Sequence, residues 1–176
     1  MIKTILVPFD GSDHANKALD LASDIAEKYD ARIVLLHVLL RHNSIDEVLT
    51  LCEKLKAPKS VVDKVEDIVN SAYAAAAASP YSGPVSLPIP AETLNEIGKL
   101  ITARASSILE ERNLNNYDIQ IVDANPADCI LAAAEHEKAD MIVMGSRGLG
   151  RLTGLFMGSV SHKVNNHSTC TCVTVK

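Results

Sequence analysis

Apolar residues along this chain alternate between two spacings, and each change of spacing marks the edge of an element. Residues 2–9 form a short apolar run broken at Pro8, and the turn residues Asp10, Gly11, Ser12 and Asp13 follow, with Ser12 or Asp13 placed to cap a helix. Ala15, Ala18, Leu19, Ala22, Ile25, Ala26 and Tyr29 then recur at helical spacing with charges between them, which predicts a helix laying one face on a sheet. Residues 31–38 are almost continuously apolar, as in a parallel strand covered on both faces. Strand, helix, strand in that order predicts a right-handed parallel crossover. Ligands of such sheets bind beyond the carboxyl ends of the strands, where Pro8, Asp10 and Val38 stand.

The middle of the chain is less regular. Ile45, Val48, Leu49, Cys52 and Leu55 predict a short amphipathic helix; Val61, Val65, Ile68, Ala72 and Ala76 predict a second, ending in an alanine run. Residues 79–90 carry prolines at 80, 84, 88 and 90, so an extended surface loop is expected there, which could cover a ligand, meet a partner or only connect. Leu94, Ile97, Ile101, Ala105 and Ile108 restore a helical stripe to about residue 112. Residues 117–122 predict a third strand, and Asn125 followed by Pro126 reads as a cap and first helical position. Residues 140–144 predict a fourth strand, a helix follows Gly158, and residues 169–175 predict a fifth strand. Strands alternating with helices in this way make a single doubly wound α/β domain with a parallel sheet and an insertion of about residues 41–98.

Chemistry concentrates between the fourth strand and the last helix, where glycines recur as Gly145-x2-Gly148-x9-Gly158-Ser159. Glycines let backbone approach a ligand with no Cβ in the way, and a helix opening at Ser159 offers free N–H groups and a positive dipole end to an anion. With 8 glycines in 176 residues, the pattern arises by chance about 0.002 times per chain of this length. A glycine-rich turn with no ligand is the competing reading. Two other phosphate loops are excluded: there is no G-x4-G-K-[ST], and no G-x-G-x-x-G follows the first strand. The nearby cations are Arg147, Arg151 and Lys163, and Arg147 is favoured because it lies between the first two motif glycines. On residues alone Asp10 has two equal readings, an acceptor for both ribose hydroxyls or a cap for the N–H groups of its own turn.

The glycine pattern, together with Val7-Pro8-Phe9-Asp10 at the end of the first strand, resembles the ATP-binding universal stress proteins. The likeness covers about residues 1–38 and 94–176 and is weakest in 41–98. It implies strand order 3-2-1-4-5, an adenine-nucleotide α-hydrolase-like sheet, and ATP as the ligand, with any Mg2+ held by the phosphates. Asp10 would then meet the ribose, the strand end at His37 and Val38 the adenine, and the backbone at Gly145, Gly148, Gly158 and Ser159 the phosphates. Ser146, Ser159 and Ser161 would add hydroxyl donors, with Pro8, Met144 and Val160 as neighbours in the pocket. A hydrolase of the same sheet type would need S-G-G-x-D-S after the first strand, and Phe9-Asp10-Gly11-Ser12-Asp13 is not that loop. With no P-loop lysine and no evident general base, the expectation is a regulatory ATP binder and not an enzyme. An interaction module with a vestigial nucleotide site is the remaining alternative.

Composition narrows the partners. A chain that is 47% hydrophobic and 22% charged can fill one α/β core, and its net charge of −5 lacks the basic stripe that nucleic acid requires. No apolar run reaches 18 residues, and the first strand begins without signal-peptide architecture, so membrane insertion is not expected and a cytoplasmic location is. Cys170, Cys172 and His167 give three candidates where tetrahedral zinc wants four, so no metal site is assigned. His37 reads as a strand-end histidine bonded to backbone, His14, His42 and His136 as surface positions, and His162 and His167, on the last helix, share no ligand-bearing face. None is given chemistry. The fifth strand, β-branched and almost uncharged, would lie at a sheet edge, where it is expected to pair two copies into a homodimer unless the proline-rich loop covers it.

Overall fold

The computed structural model describes residues 1–41, 43–78, 88–150 and 157–176, with the side chains of residues 72, 73 and 75–78 left aside. His42, Arg151, Gly154 and most of the proline-rich stretch lie outside the described residues. The elements are β1 (Thr4–Pro8), α1 (Asp13–Tyr29), β2 (Arg32–Val38), α2 (Ile45–Lys54), α3 (Lys59–Ala78), α4 (Ala91–Glu111), β3 (Tyr117–Val122), α5 (Pro126–His136), β4 (Met141–Gly145), α6 (Ser159–His167) and β5 (Thr171–Val175). All strand pairs are parallel and the order is β3-β2-β1-β4-β5, as the resemblance implied.

Alternation along each strand divides the core into two layers. Ile5 and Val7 of β1 and Ile33 and Leu35 of β2 join one cluster with Ala18, Leu19 and Ala22 of α1 and Ile97, Ile101 and Leu109 of α4. Leu6, Val34, Leu36, Ile142 and Met144 point the other way, onto Ala127, Ile130 and Ala134 of α5 and Val164 of α6. The inner strands are therefore apolar along most of their length, with Thr4, Arg32 and His37 as the polar positions, as two-sided burial requires. The inserted helices α2 and α3 extend the first layer, adding Val48, Leu51, Cys52, Val61 and Val65 to it.

Local chemistry fixes the helix starts. Ser12 Oγ accepts from Ala15 N at 3.2 Å, and Asn125 Oδ1 accepts from Asp128 N at 3.4 Å with Pro126 in the first turn. At α2, Ser44 and Glu47 form a reciprocal capping box. Tyr29 departs from expectation: the last residue of α1, it is 43% exposed, with Lys28 Nζ 5.9 Å from its ring centroid. The buried stripe of α1 ends at Ala26.

The two edges of the sheet differ. β3 is flanked by charge: Arg32 Nε lies 2.9 Å from Asp118, Arg32 also pairs with Glu137, and Gln120 donates to Glu137 at 2.8 Å. β5 carries no charge along its length, and four of its five residues are only half-buried. No helix among the described residues is long and apolar enough to cross a membrane.

The fully buried His37 is packed beneath Gly98 of α4. A Cβ at Gly98 would sit 2.9 Å from His37 Cδ2, and the ring cannot simply retreat, because its Nδ1 is bonded to the Phe9 carbonyl at 2.8 Å. Overpacking costs about 1–3 kcal/mol, against a gain of up to about 1 kcal/mol when Ala replaces Gly inside a helix. Gly98→Ala should therefore lower the urea midpoint in the wild-type background and raise it in a His37→Ala background. The same sign in both backgrounds would separate the glycine from the ring.

Candidate functional site

The chain runs outward from β1 through β2 to β3, then returns to β4 beside β1, so the strand order reverses between β1 and β4. A crevice opens at such a switch point, outside the carboxyl ends of the strands. Here it is a cavity of about 290 Å³. Its floor is Pro8, Leu36, Val38, Met144 and Gly145; its walls come from the 145–150 loop, the start of α6, the first turn of α5 and the segment after β2.

The loop is held by the backbone of Ser146. Its N–H donates to the carbonyl of Val175 at 2.7 Å, while its own carbonyl accepts from Gly158 N at 2.7 Å and Ser161 Oγ at 2.8 Å. These bonds set the N-terminus of α6 over the end of β4. Gly158 is the N-cap residue, so no cap side chain is present to accept from the N–H groups of the first turn, the arrangement in which a helix start suits an anion.

Two glycines are close approaches. At Gly145 a Cβ would lie 2.9 Å from the backbone of His14, so only glycine lets β4 meet the start of α1. At Gly148 a Cβ would lie 2.5 Å from Asp10 Oδ2, and the φ there is outside the left-handed region, so the constraint is space and not strain. Asp10 takes the turn-capping role with one oxygen, Oδ1 accepting from Ser12 N at 3.0 Å, while Oδ2 lies close against the glycine loop at Gly148.

Of the residues singled out in sequence, Pro8, Asp10, Val38, Met144, Gly145, Arg147, Gly148, Gly158, Ser159, Val160 and Ser161 line this cavity. Ser146 does not; it is buried, with Oγ 3.0 Å from His14 Nδ1, so its hydroxyl faces α1 and not a ligand. The contact also removes His14 from the plain surface positions. The N–H of Gly158 is spent on Ser146, and the Ser161 hydroxyl donates to carbonyls, so neither is available as the sequence suggested. Lys163 is bound to Asp128 at 2.6 Å, leaving Arg147 as the cation among the described lining residues. Leu39, Leu40, Asn43, Pro126, Ile130 and Leu149 line the cavity without having been singled out. The apolar run continuing past Val38 was the available signal for Leu39 and Leu40, and the Asn125-Pro126 helix start for Pro126 and Ile130.

Behind the floor, His37 lends its ring to the Phe9 carbonyl, one residue before Asp10. A carbonyl only accepts, so Nδ1 carries the proton, and Nε2 is buried with no partner. Burial pushes this imidazole below the ordinary histidine range, against the opposing pulls of the Phe9 bond and the Asp10 charge. The unfolded chain gains a proton near the reference value of about 6.5, while the folded chain resists it. Stability is thus complete above that pH and falls as the pH drops toward the lowered folded value. Between pH 7.5 and 5.5, denaturant unfolding should show wild type losing more stability than His37→Gln; equal losses would assign the slope elsewhere.

Comparison with known proteins gives a consistent picture. The model of the Universal stress protein family matches residues 1–176, and so takes in the 41–98 insertion where the sequence resemblance was weakest. A Thermus aquaticus protein described as the universal stress protein in QAH/OAS sulfhydrylase 3′ region is 30% identical over 176 residues, covering 100% of both chains. A universal stress protein solved in complex with cAMP superposes with a TM-score of 0.60 at 19% identity, over 99% of this chain and 97% of that one. The Archaeoglobus fulgidus universal stress protein in complex with dAMP gives a TM-score of 0.59 at 16% identity, over 100% and 98%. The two structural likenesses show the shared fold.

Proposed function

The chain belongs to the universal stress protein family, and we propose that its cavity holds an adenine nucleotide, ATP in particular, as a regulatory ligand. The observation that carries this reading is the close approach of the glycine loop to Asp10: a Cβ at Gly148 would stand 2.5 Å from Asp10 Oδ2, and both residues line the same cavity as the start of α6, which has no side-chain cap. The complexes of the related folds with cAMP and dAMP support an adenine nucleoside. Asp10 Oδ2 would accept from ribose hydroxyls, and the first-turn N–H groups of α6 with Arg147 would hold phosphate. The apolar floor at Pro8, Val38 and Met144 would take the base. ATP supplies a charged, energy-reporting signal, and any Mg2+ rides on its phosphates.

The reading is of a binder and not an enzyme. Phosphoryl transfer needs charge neutralisation and a base to orient the nucleophile, and the described lining offers one arginine and no lysine or histidine. The protein would act in the cytoplasm on a partner that its nucleotide state regulates. Nucleotide released by acid from purified protein should be adenine nucleotide, and calorimetry should show ATP binding to wild type and none to Gly148→Val. Wild-type affinity in that variant would overturn the site.

The same reading includes a homodimer through β5. The carbonyl of Val175 points at β4, bonding Ser146 N, and since successive residues direct their N–H and C=O groups to opposite sides of a strand, Thr174 and Cys172 present theirs outward. An uncharged edge strand whose outer row meets no other strand among the described residues invites a second copy. Thr174→Pro removes an outward donor without cutting the β4 ladder. Light scattering should show a dimer for wild type and a monomer for Thr174→Pro, with unchanged circular dichroism. A dimer in both would place the interface elsewhere.

A further inference from the structure

The insertion does not stay clear of the cavity. Beyond Val38 the chain turns through Leu39 and Leu40 to Asn43, and all three line the cavity. Asn43 is the one polar side chain on the β2 side of it among the described residues. Its orientation is fixed from behind. Asn43 Nδ2 donates to Glu47 Oε2 at 3.0 Å, and the same oxygen accepts from Ser44 N at 3.1 Å as half of the α2 capping box. A carboxylate only accepts, so the amide must turn its nitrogen toward Glu47, leaving Oδ1 without a protein partner among the described residues. The other oxygen, Glu47 Oε1, reaches to 3.8 Å from where a Cβ on Gly150 would stand, so the carboxylate spans from α2 to the glycine loop.

We propose that Asn43 is a specificity-determining residue that reads the base: its amide oxygen accepts from the 6-amino group of adenine and discriminates against a 6-oxo purine, with Glu47 as the positioning residue that prevents the amide from flipping. The inference rests on the nucleotide reading above and adds the edge of the base that is read. The physical argument is one of matched polarity. A 6-oxo group would set an acceptor against an acceptor, leaving both unpaired in a half-buried place, and an unmade bond of that kind costs more than a made one contributes. The wall around Asn43 is Leu39, Leu40 and Val38, which supplies contact but no alternative donor side chain.

The test is calorimetric titration of the full chain with ATP, with inosine triphosphate (ITP), which replaces the 6-amino group by an oxo group, and with 2′-deoxyATP. Wild type should prefer ATP to ITP by about tenfold. Asn43→Ala should bring ATP affinity down close to that for ITP while leaving the ratio of ATP to 2′-deoxyATP unchanged. Glu47→Gln retains a side chain able to cap α2 but permits the amide to flip, so it should narrow the ATP preference while ATP binding persists. Equal loss of ATP and ITP in Asn43→Ala, or a change only in the 2′-deoxyATP ratio, would overturn base reading while the nucleotide site stands. A wild type that binds ATP and ITP equally would do the same. A wild type that binds neither would bring down the nucleotide reading and this inference together.

Discussion

The backbone of Ser146 is the joint on which the cavity depends. A strand end, a helix start and the C-terminal strand meet there because one N–H goes to Val175 and one carbonyl receives both Gly158 N and Ser161 Oγ. Each bond is ordinary, and a typical net contribution is about 1 kcal/mol. Their effect is geometric: they turn α6 so that its first N–H groups face the crevice between β1 and β4. The glycine at 145 is what allows α1 to close against the same joint from the other side.

That arrangement explains why the glycine motif was legible in sequence and its hydrogen-bond inventory was not. Spacing alone located Gly145, Gly148 and Gly158, and the parallel order of strands put them beside Pro8, Asp10 and Val38. Spacing cannot say which donors have been consumed. Gly158 N and the Ser161 hydroxyl are used within the loop, Ser146 Oγ turns toward His14, and Lys163 is taken by Asp128. Each of these depends on contacts between residues well separated along the chain, which neither periodicity nor composition encodes.

The fold itself was nearly complete in the pattern. Strand β3 falls on residues 117–122 as read, the α5 cap at Asn125 is as read, and the inserted helices begin and end within a few residues of their apolar stripes. Such agreement is expected where burial on two faces forces continuous apolar runs and capping residues leave local marks. Tyr29 failed because an apolar stripe does not reveal where the partner surface stops. The wall at Asn43 was missed for a related reason: an insertion reads as helices in sequence, and only the fold shows that its first turn comes back over the sheet.

The unequal edges of the sheet set a limit on assembly. A chain of subunits growing edge to edge needs an adhesive strand on both sides, and β3 is flanked by Arg32, Asp118 and Glu137 while β5 carries no charge. The pairing proposed above, through β5 alone, would use the same surface twice about a twofold axis and would leave the charge-flanked β3 edges outward. A molecule joined in that way would have a closed stoichiometry: the uncharged edge would be used up within the pair, and the charged edge would keep that pair from seeding a fibre.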